Sequence, residues 1–222
     1  SLHEQLVRMR GPGDMPDALL DVVRDTETLG GEEVTLIRPR DWDELRHQEG
    51  AAGRTAPYWA VAWPSGLALA EAIAGRDLAG ASVLELGCGL GAPSIVAARR
   101  GARVLATDSS PDAVVFAAHN LALNGLEGGV AQTDWREADE LVDGGPWDLV
   151  LAADVLYLRH NVEALLRVLP RLIGTGGEAV VADPSRSGGR DFVASAKRIF
   201  RLETTTDPKR DRVQVHGLRP RR

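Results

Sequence analysis

The sequence predicts an α/β fold: a seven-strand, mostly parallel sheet with helices on both faces, an antiparallel last strand and an N-terminal α+β extension. Three observations support this prediction. From Ser82 onward, short apolar runs alternate with helical patterns, as in parallel sheets whose strands are joined by helices. The run Trp147–Ala153 is apolar enough for a strand that is covered on both faces. Near the end, runs at 201–206 and 212–217 flank a turn with Pro208, which favours an antiparallel sheet edge.

Length and composition are those of an ordinary globular domain with an extension. The chain has 222 residues, 44% of them apolar and 26% charged, which is enough for one core. Its net charge of −6 argues against nucleic-acid binding, which normally requires a basic face. No apolar run reaches the roughly 18 residues of a membrane span, and the N-terminus lacks a signal-peptide layout. We therefore expect a soluble, cytoplasmic protein that binds neither nucleic acid nor membrane.

We assign residues 1–65 to the extension, which caps the main domain, and residues 66–222 to that domain. Within the extension, the pattern predicts a short helix over residues 16–24, a strand over residues 33–38 and another short helix over residues 41–48.

The main domain is organised around a glycine-rich turn. A buried strand at Ser82–Leu86 is followed by Gly87, Gly89 and Gly91 and then by a helix. Alternate glycines permit positive φ and remove side chains that would keep a ligand away from the backbone. The helix start adds free N–H groups and the positive end of a dipole. The turn is therefore predicted to hold a cofactor; the alternative is a glycine-rich turn that binds nothing.

Cys88 lies inside this turn and is the only cysteine of the chain, which excludes an internal disulfide and a cysteine metal cluster. The position between glycines requires a small residue, and no histidine is near it in sequence. We therefore assign Cys88 to the cofactor turn rather than to nucleophilic catalysis.

The nature of the cofactor depends on Glu85. Gly87, Gly89 and Ala92 also satisfy the dinucleotide fingerprint G-x-G-x-x-G/A, so the glycines alone do not decide. A dinucleotide-binding strand normally carries an apolar residue at the position of Glu85, where a carboxylate would repel the pyrophosphate. A ligand with an ammonium or sulfonium group would be attracted instead. S-adenosylmethionine carries both groups, together with a ribose diol and an adenine ring.

The turn also resembles a known enzyme family. Residues 85–91, Glu-Leu-Gly-Cys-Gly-Leu-Gly, are similar to the E/D-x-G-x-G-x-G loop of the class I, or seven-strand, S-adenosylmethionine-dependent methyltransferases. The resemblance implies a Rossmann-like fold, S-adenosyl-L-methionine as cofactor and S-adenosyl-L-homocysteine as product. It implies no metal, because methyl transfer from a sulfonium requires positioning and desolvation rather than a Lewis acid.

Asp108 is the predicted ribose ligand. It ends the second strand of the domain, 21 positions after Gly87 (108 minus 87), a spacing at which a carboxylate reaches a ribose diol. The alternative is that Asp108 caps the helix Pro111–Leu123. Capping falls more naturally to Ser109 or Ser110, which leaves Asp108 free. We also include Ser109 in the cofactor site.

Asp134 and Trp135 follow the third strand and are predicted to hold adenine. The carboxylate would accept a hydrogen bond from the exocyclic amine, and the ring would stack on the base. Ala153, which ends the fourth strand, is also included in the cofactor site.

Asp154 and Tyr157 are the candidate catalytic residues, because they follow the fourth strand at the edge where open α/β sheets bind ligands. Methyltransferases acting on planar nitrogens usually carry Asn-Pro-Pro-Tyr or a close variant here, whereas Asp-x-x-Tyr resembles the lysine-directed group. A carboxylate beside a lysine amine orients the nitrogen and offsets its charge, and a tyrosine hydroxyl hydrogen-bonds to the same nitrogen. The alternative is that Asp154 caps the next helix and Tyr157 packs in it.

An aromatic segment, residues 58–63, precedes the domain in a chain that is only 5% aromatic. Its Trp-Pro-x-Gly turn resembles protein lysine methyltransferases related to the electron-transfer-flavoprotein β-subunit enzyme, which implies that Trp63 lies beside the cofactor. The alternative is that these rings are core packing. The loop at 183–186, Asp-Pro-Ser-Arg, also resembles this group. One interpretation of Arg186 is contact with an acidic substrate surface, and the commoner alternative is an ordinary surface arginine.

The sequence thus predicts an S-adenosylmethionine-dependent methyltransferase that modifies a lysine side chain of a protein substrate. One alternative is a small-molecule N- or O-methyltransferase, which would share the cofactor half of the site. The non-enzyme alternative is a protein that binds the cofactor or a dinucleotide without methyl transfer. Such a protein would not need Asp154 and Tyr157 at the strand end.

Overall fold

The structure, a computed structural model, describes residues 22–221. Most of the helix predicted over residues 16–24 therefore lies outside the described residues. Residues 22–24, which fall within them, belong to a strand instead.

The described chain begins with a small antiparallel sheet and a helix. Strands β1 (Val22–Leu29) and β2 (Glu32–Pro39) form a separate two-stranded sheet within residues 22–221, and helix α1 (Trp42–Ala51) follows. The Asp41 carboxylate caps α1 by accepting a hydrogen bond from the Glu44 N–H (2.9 Å), as expected for an aspartate before a helix. The strand and second helix predicted in the extension are confirmed.

A seven-stranded sheet forms the main domain. Its strands, in chain order, are β3 (Ser82–Leu86), β4 (Arg103–Asp108), β5 (Gly129–Gln132), β6 (Trp147–Ala153), β7 (Ile173–Asp183), β8 (Phe200–Thr206) and β9 (Gln214–Pro220). Their order across the sheet is β5-β4-β3-β6-β7-β9-β8, and β9 runs in the direction opposite to the other six strands. The predicted fold class, including the reversed last strand, is confirmed.

Helices cover both faces of this sheet. They are α2 (Pro64–Ile73), α3 (Ala92–Arg99), α4 (Pro111–Leu123), α5 (Asp139–Asp143), α6 (Arg159–Leu172) and α7 (Ser187–Ile199). Apolar residues of α2, α3 and α4 share one core, and those of α5, α6 and α7 share the other. None of the helices within residues 22–221 has both the length and the apolar content to cross a lipid bilayer.

Two helix bounds predicted from the sequence are wrong. The pattern predicts that the helix after the fourth strand breaks at Pro170, and that the next helix spans residues 192–200 after a loop with two glycines. Helix α6 instead continues to Leu172, because a proline in the last turn removes only one backbone hydrogen bond. Helix α7 instead begins at Ser187 and includes both glycines. Those glycines are required by packing: an added Cβ on Gly188 would lie 1.9 Å from the Leu156 carbonyl oxygen.

The hairpin β1–β2 is fastened to the main domain through buried Asn120 of α4. The Asn120 side chain accepts a hydrogen bond from the Ile37 N–H (2.7 Å) and donates to the carbonyl oxygens of Ile37 (3.2 Å) and Leu90 (3.0 Å). Side chains of β2 also enter the core shared by α2 and α3. The boundary at residue 65 stays a prediction, since extension and domain share this core.

We predict that Asn120→Ala lowers the free energy of unfolding by about 3 kcal/mol or more. The change leaves one N–H and two carbonyl groups in the core without a partner, at about 1–3 kcal/mol for each unsatisfied group. Denaturant unfolding measures the loss. Asn124→Ala is the matched control, because Asn124 makes similar bonds to Thr35 where water can replace them. Equal losses in the two variants would contradict the prediction.

Candidate active site

A cavity of about 720 Å³ lies at the carboxyl ends of the central strands, a volume typical of small-ligand sites. All thirteen residues that the sequence assigned to the site line it. They are Trp63, Glu85, Gly87, Cys88, Gly89, Gly91, Asp108, Ser109, Asp134, Trp135, Ala153, Asp154 and Tyr157. The structure thus brings the two halves of the predicted site into one cavity, while the role of each residue stays a prediction.

The glycine turn has the backbone that the sequence predicted. Gly87, Gly89 and Gly91 have φ angles of 66°, 51° and 81°, in the region where other residues are strained. A Cβ on Gly89 would also lie 3.2 Å from the carbonyl oxygen of Trp59. The turn therefore exposes bare backbone to the cavity and lets the aromatic segment pass close by.

Cys88 is buried in this turn. Desolvation by burial raises the pKa of its thiol well above the ordinary value. The side chain is consequently a neutral thiol near neutral pH, which argues against a nucleophilic role.

Glu85 is almost fully buried at the base of the turn, with 2% of its surface exposed. Its Oε2 accepts hydrogen bonds from the Ser94 N–H (2.9 Å) and from the Ser94 hydroxyl. Desolvation nevertheless raises the pKa of Glu85 to about 8, and the negative charge of Asp108 adds to the rise. Ser94 holds one oxygen of this carboxyl group, and sequence reasoning missed it because a serine in the first turn of a helix carries no special signal.

Asp108 is oriented by the backbone around it. Its Oδ2 accepts a hydrogen bond from the Gly89 N–H (3.0 Å), and its Oδ1 accepts one from the Ser110 N–H (2.9 Å). The Ser110 hydroxyl accepts from the Ala113 N–H, so Ser110 caps α4 as expected. Asp108 does not cap the helix, but neither is it free. Burial raises its pKa, while the backbone donors oppose that rise.

Asp134 has a partner that the sequence did not suggest. Its carboxylate receives two hydrogen bonds from Arg136 Nε, at 2.8 Å to Oδ1 and 3.0 Å to Oδ2. The bond to Arg136 lowers the pKa of Asp134, so the group is ionised near neutral pH. Neighbouring Trp135 is only 8% exposed and packs in the core shared by α5, α6 and α7. It also contributes to the lining of the cavity.

Asp154 has a strained and well-fixed backbone. Its φ is 55°, which is uncommon for a residue other than glycine, and its N–H donates to the Ala182 carbonyl (2.9 Å). Helix α6 begins only at Arg159, so Asp154 does not cap it and that alternative is wrong. Desolvation raises the pKa of Asp154, although the positive charge of Arg186, 3.4 Å away, lowers it.

Tyr157 is not packed in a helix: its side chain is half exposed and its ring centroid lies 5.9 Å from that of Tyr58. Desolvation raises its pKa, so the phenol is neutral near neutral pH. Asn161, which lines the same cavity, donates to the Val155 carbonyl (2.9 Å) and fixes the connection between Asp154 and α6.

Arg186 reaches the cavity because a buried network holds its loop. The Asp183 carboxylate accepts from the Ser185 N–H (2.6 Å), and its other oxygen lies 2.9 Å from His216 Nε2. His216 is fully buried and lies in the reversed strand β9, with Nδ1 2.8 Å from the Thr204 hydroxyl. The sequence could not indicate this pairing, because Asp183 and His216 are far apart in the chain.

The chain is similar to known proteins in sequence and in fold. A family model described as lysine methyltransferase matches residues 45–198. The chain is 37% identical over 139 residues to the electron transfer flavoprotein beta subunit lysine methyltransferase of Danio rerio, covering 61% of this chain and 53% of that protein. It is 30% identical over 186 residues to the protein N-lysine methyltransferase METTL21A of Mus musculus, covering 80% of each. The chain spans about half the length of the first curated relatives that it matches.

Among solved structures, a T. thermophilus 16S rRNA N2 G1207 methyltransferase in complex with AdoMet and guanosine is similar, with a TM-score of 0.67 and 19% identity. The alignment covers 94% of this chain and 53% of that one. This likeness shows that the chain has the same fold.

We predict that the free energy of unfolding of Glu85→Gln rises relative to that of wild type as pH increases from about 5 to about 8. A carboxyl group whose pKa is raised to about 8 binds more protons in the folded state, so its contribution to stability falls across that window and is constant above it. Denaturant unfolding at pH 5 to 9 measures the difference. Glu203→Gln, at an exposed strand position, is the control. A stability difference between Glu85→Gln and wild type that did not change with pH would contradict the prediction.

Proposed function

We propose, from the premise that the chain belongs to the lysine methyltransferase family, that it transfers a methyl group from S-adenosylmethionine to a lysine side chain of a protein. The single observation that carries the proposal is that one cavity contains both the glycine turn with Asp108 and the pair Asp154 and Tyr157. The protein lysine methyltransferases among its relatives support the choice of acceptor.

The residues present fit the cofactor. Positive-φ glycines leave room for a ligand against the backbone, and the two Asp108 oxygens, each held by a backbone N–H, suit a ribose diol. Ser94 holds one oxygen of Glu85, and Glu85 lines the cavity, where the positive charge of a bound ammonium group would favour the ionised form that burial opposes. Asp134 and Trp135 would hold the adenine. When bound, S-adenosylmethionine supplies an electrophilic methyl group on a positively charged sulfur.

The charged half of the site suits a lysine acceptor. A free lysine ammonium has a pKa near 10.4 and must lose a proton before its nitrogen carries a lone pair. Asp154 faces the cavity with a largely buried carboxylate, which attracts the ammonium, orients it and stabilises the positive charge that the nitrogen regains on methylation. Tyr157 adds a neutral hydroxyl that hydrogen-bonds to the same nitrogen.

Transfer of label distinguishes this proposal from its alternatives. Tritiated S-adenosylmethionine is incubated with the protein and an extract from cells that lack it, and the products are separated by size and hydrolysed. We expect label in a protein band and in methylated lysine. Label confined to small molecules would favour a small-molecule methyltransferase. Absence of any transfer, with S-adenosylhomocysteine bound, would favour the non-enzyme alternative.

We predict that Asp108→Ala weakens S-adenosylhomocysteine binding by about 10- to 100-fold. Removal of a charge-assisted hydrogen-bonding group costs about 1.5–3 kcal/mol. Calorimetry measures the affinity. Asp148→Ala removes a carboxylate from the opposite edge of the sheet, where it binds Ser82, and should leave the affinity unchanged. NAD binding as tight as that of S-adenosylhomocysteine, or no effect of Asp108→Ala, would overturn the cofactor assignment.

We predict that Asp154→Asn lowers methyl transfer about 100-fold while S-adenosylhomocysteine still binds. The variant keeps the shape of the side chain but removes the charge that stabilises a cationic acceptor, and positioned acid–base groups commonly contribute 10²- to 10⁴-fold. Tyr157→Phe should cost less, because it removes one hydrogen bond. Turnover under saturating cofactor measures both variants. Unimpaired turnover in Asp154→Asn would remove the residue from the mechanism.

A further inference from the structure

Four aromatic rings form a connected group at the cavity, which we call the Tyr58 cluster: Trp42, Tyr58, Trp63 and Tyr157. Tyr58 is its centre, with ring centroids 6.3 Å from Trp42, 6.4 Å from Trp63 and 5.9 Å from Tyr157. Tyr58, Trp63 and Tyr157 line the cavity, and Trp42 packs on Tyr58 behind them. The cluster joins the extension to the strand end that carries Asp154.

Hydrogen bonds hold these rings in place. The Trp63 indole N–H donates to the Tyr58 carbonyl (2.6 Å), and the Trp42 indole N–H donates to the Pro57 carbonyl (3.0 Å). Both donors bind backbone of one short segment, so the rings and the Tyr58 backbone form one preorganised unit. A preorganised surface loses little entropy when a ligand binds.

The exposure of the rings does not fit a role in core packing. Tyr58 is 47% exposed and Tyr157 is 50% exposed, whereas neighbouring Trp59 packs on fully buried Phe116 with ring centroids 5.1 Å apart. Within the described residues, Leu158 is a further large apolar side chain that is exposed and lines the same cavity. Exposed aromatic surface beside a cavity indicates contact with a ligand.

Two features of the cluster attract a cation. Arg136 and Arg186 also line the cavity, but each is paired with a carboxylate. Aromatic faces attract cations, and Arg46 already lies over the Trp42 ring, 5.2 Å from its centroid. Asp154, three residues before Tyr157, contributes negative charge to the same cavity. A positively charged group on a flexible alkyl chain suits both the rings and Asp154. Its methylene groups pack on the rings, and its charge is attracted by the ring faces and by the carboxylate.

We propose that Tyr58, together with Trp63 and Tyr157, binds the alkylammonium group of the methyl acceptor, so that Tyr58 is a substrate-binding residue. This inference rests on the proposed function, which supplies lysine as the acceptor. The rings hold the cation without forming an ion pair, and so leave its nitrogen available to Asp154. Methylation keeps the positive charge and adds apolar surface, so a trimethylammonium group is expected to bind the same rings.

A pair of probes that differ only in charge tests the proposal. Choline carries a trimethylammonium group, and 3,3-dimethylbutan-1-ol is its neutral carbon counterpart with the same shape. Each is titrated into the full chain saturated with S-adenosylhomocysteine, and the tryptophan indole N–H signals are followed by NMR. We expect the Trp63 signal to shift with choline, and choline to bind at least about fivefold tighter than the neutral probe. Trp147, whose indole N–H is buried against Leu141, is the internal control and should not shift.

Variants then assign the preference to Tyr58. Tyr58→Leu should reduce choline affinity at least about fivefold with little effect on the neutral probe, whereas Tyr58→Phe should keep the preference. Leu158→Ala, which trims exposed apolar surface of the same cavity without removing a ring, should also keep it. S-adenosylhomocysteine affinity reports whether each variant is folded. If Tyr58→Leu is not folded, the proposal is decided by whether the wild-type chain prefers choline to the neutral probe.

Equal binding of the two probes to the wild-type chain would overturn the proposal, as would an unchanged preference in folded Tyr58→Leu. These equilibrium measurements do not depend on turnover. A negative result in the probe titration therefore does not change the interpretation of the label-transfer experiment. Likewise, absence of lysine methylation in the label-transfer experiment does not invalidate the comparison of the two probes.

Discussion

The hydrogen bond from the Gly89 N–H to the Asp108 carboxylate (3.0 Å) is the contact on which the candidate site depends. It joins the turn after β3 to the end of the neighbouring strand β4. The glycine turn and Asp108, which form the cofactor half of the site, are therefore held in a fixed relative position. Gly89 also has a positive φ, which a larger residue adopts only with strain. A Cβ at the same position would press on the Trp59 carbonyl, so one glycine orients the carboxylate and also admits the aromatic segment to the cavity.

The half of the site that is proposed to bind the methyl acceptor, with Asp154 and Tyr157, depends on the reversed strand β9. Its buried His216 lies 2.9 Å from Asp183, which in turn accepts a hydrogen bond from the Ser185 N–H and fixes the loop that carries Arg186. Arg186 then lies 3.4 Å from Asp154 and opposes the rise in pKa that burial causes in that carboxyl group. The last strand of the chain thereby sets the electrostatic environment at the end of β6, although it contributes none of the residues assigned to chemistry.

The sequence predicted most strands because buried parallel strands appear as short apolar runs, as at Trp147–Ala153. It also placed Glu85, Asp108 and Asp154 at one edge, since the carboxyl ends of parallel strands meet there. It failed for helix α7, where Gly188 is required by the Leu156 carbonyl rather than by a turn. Local propensity cannot detect such a contact, because its two partners are distant in the chain.

The sequence by itself therefore determined the fold class, the glycine turn and the carboxylates that follow the strands, because these depend on local backbone freedom and on the period of apolar residues. Only the tertiary structure decided which partners those groups have and how deeply they are buried. It gave Asp134 its partner Arg136, buried Glu85 against Ser94 and assembled the rings around Tyr58. Burial, pKa and ring contacts depend on which segments meet in space, and that information is not carried by any single stretch of the chain.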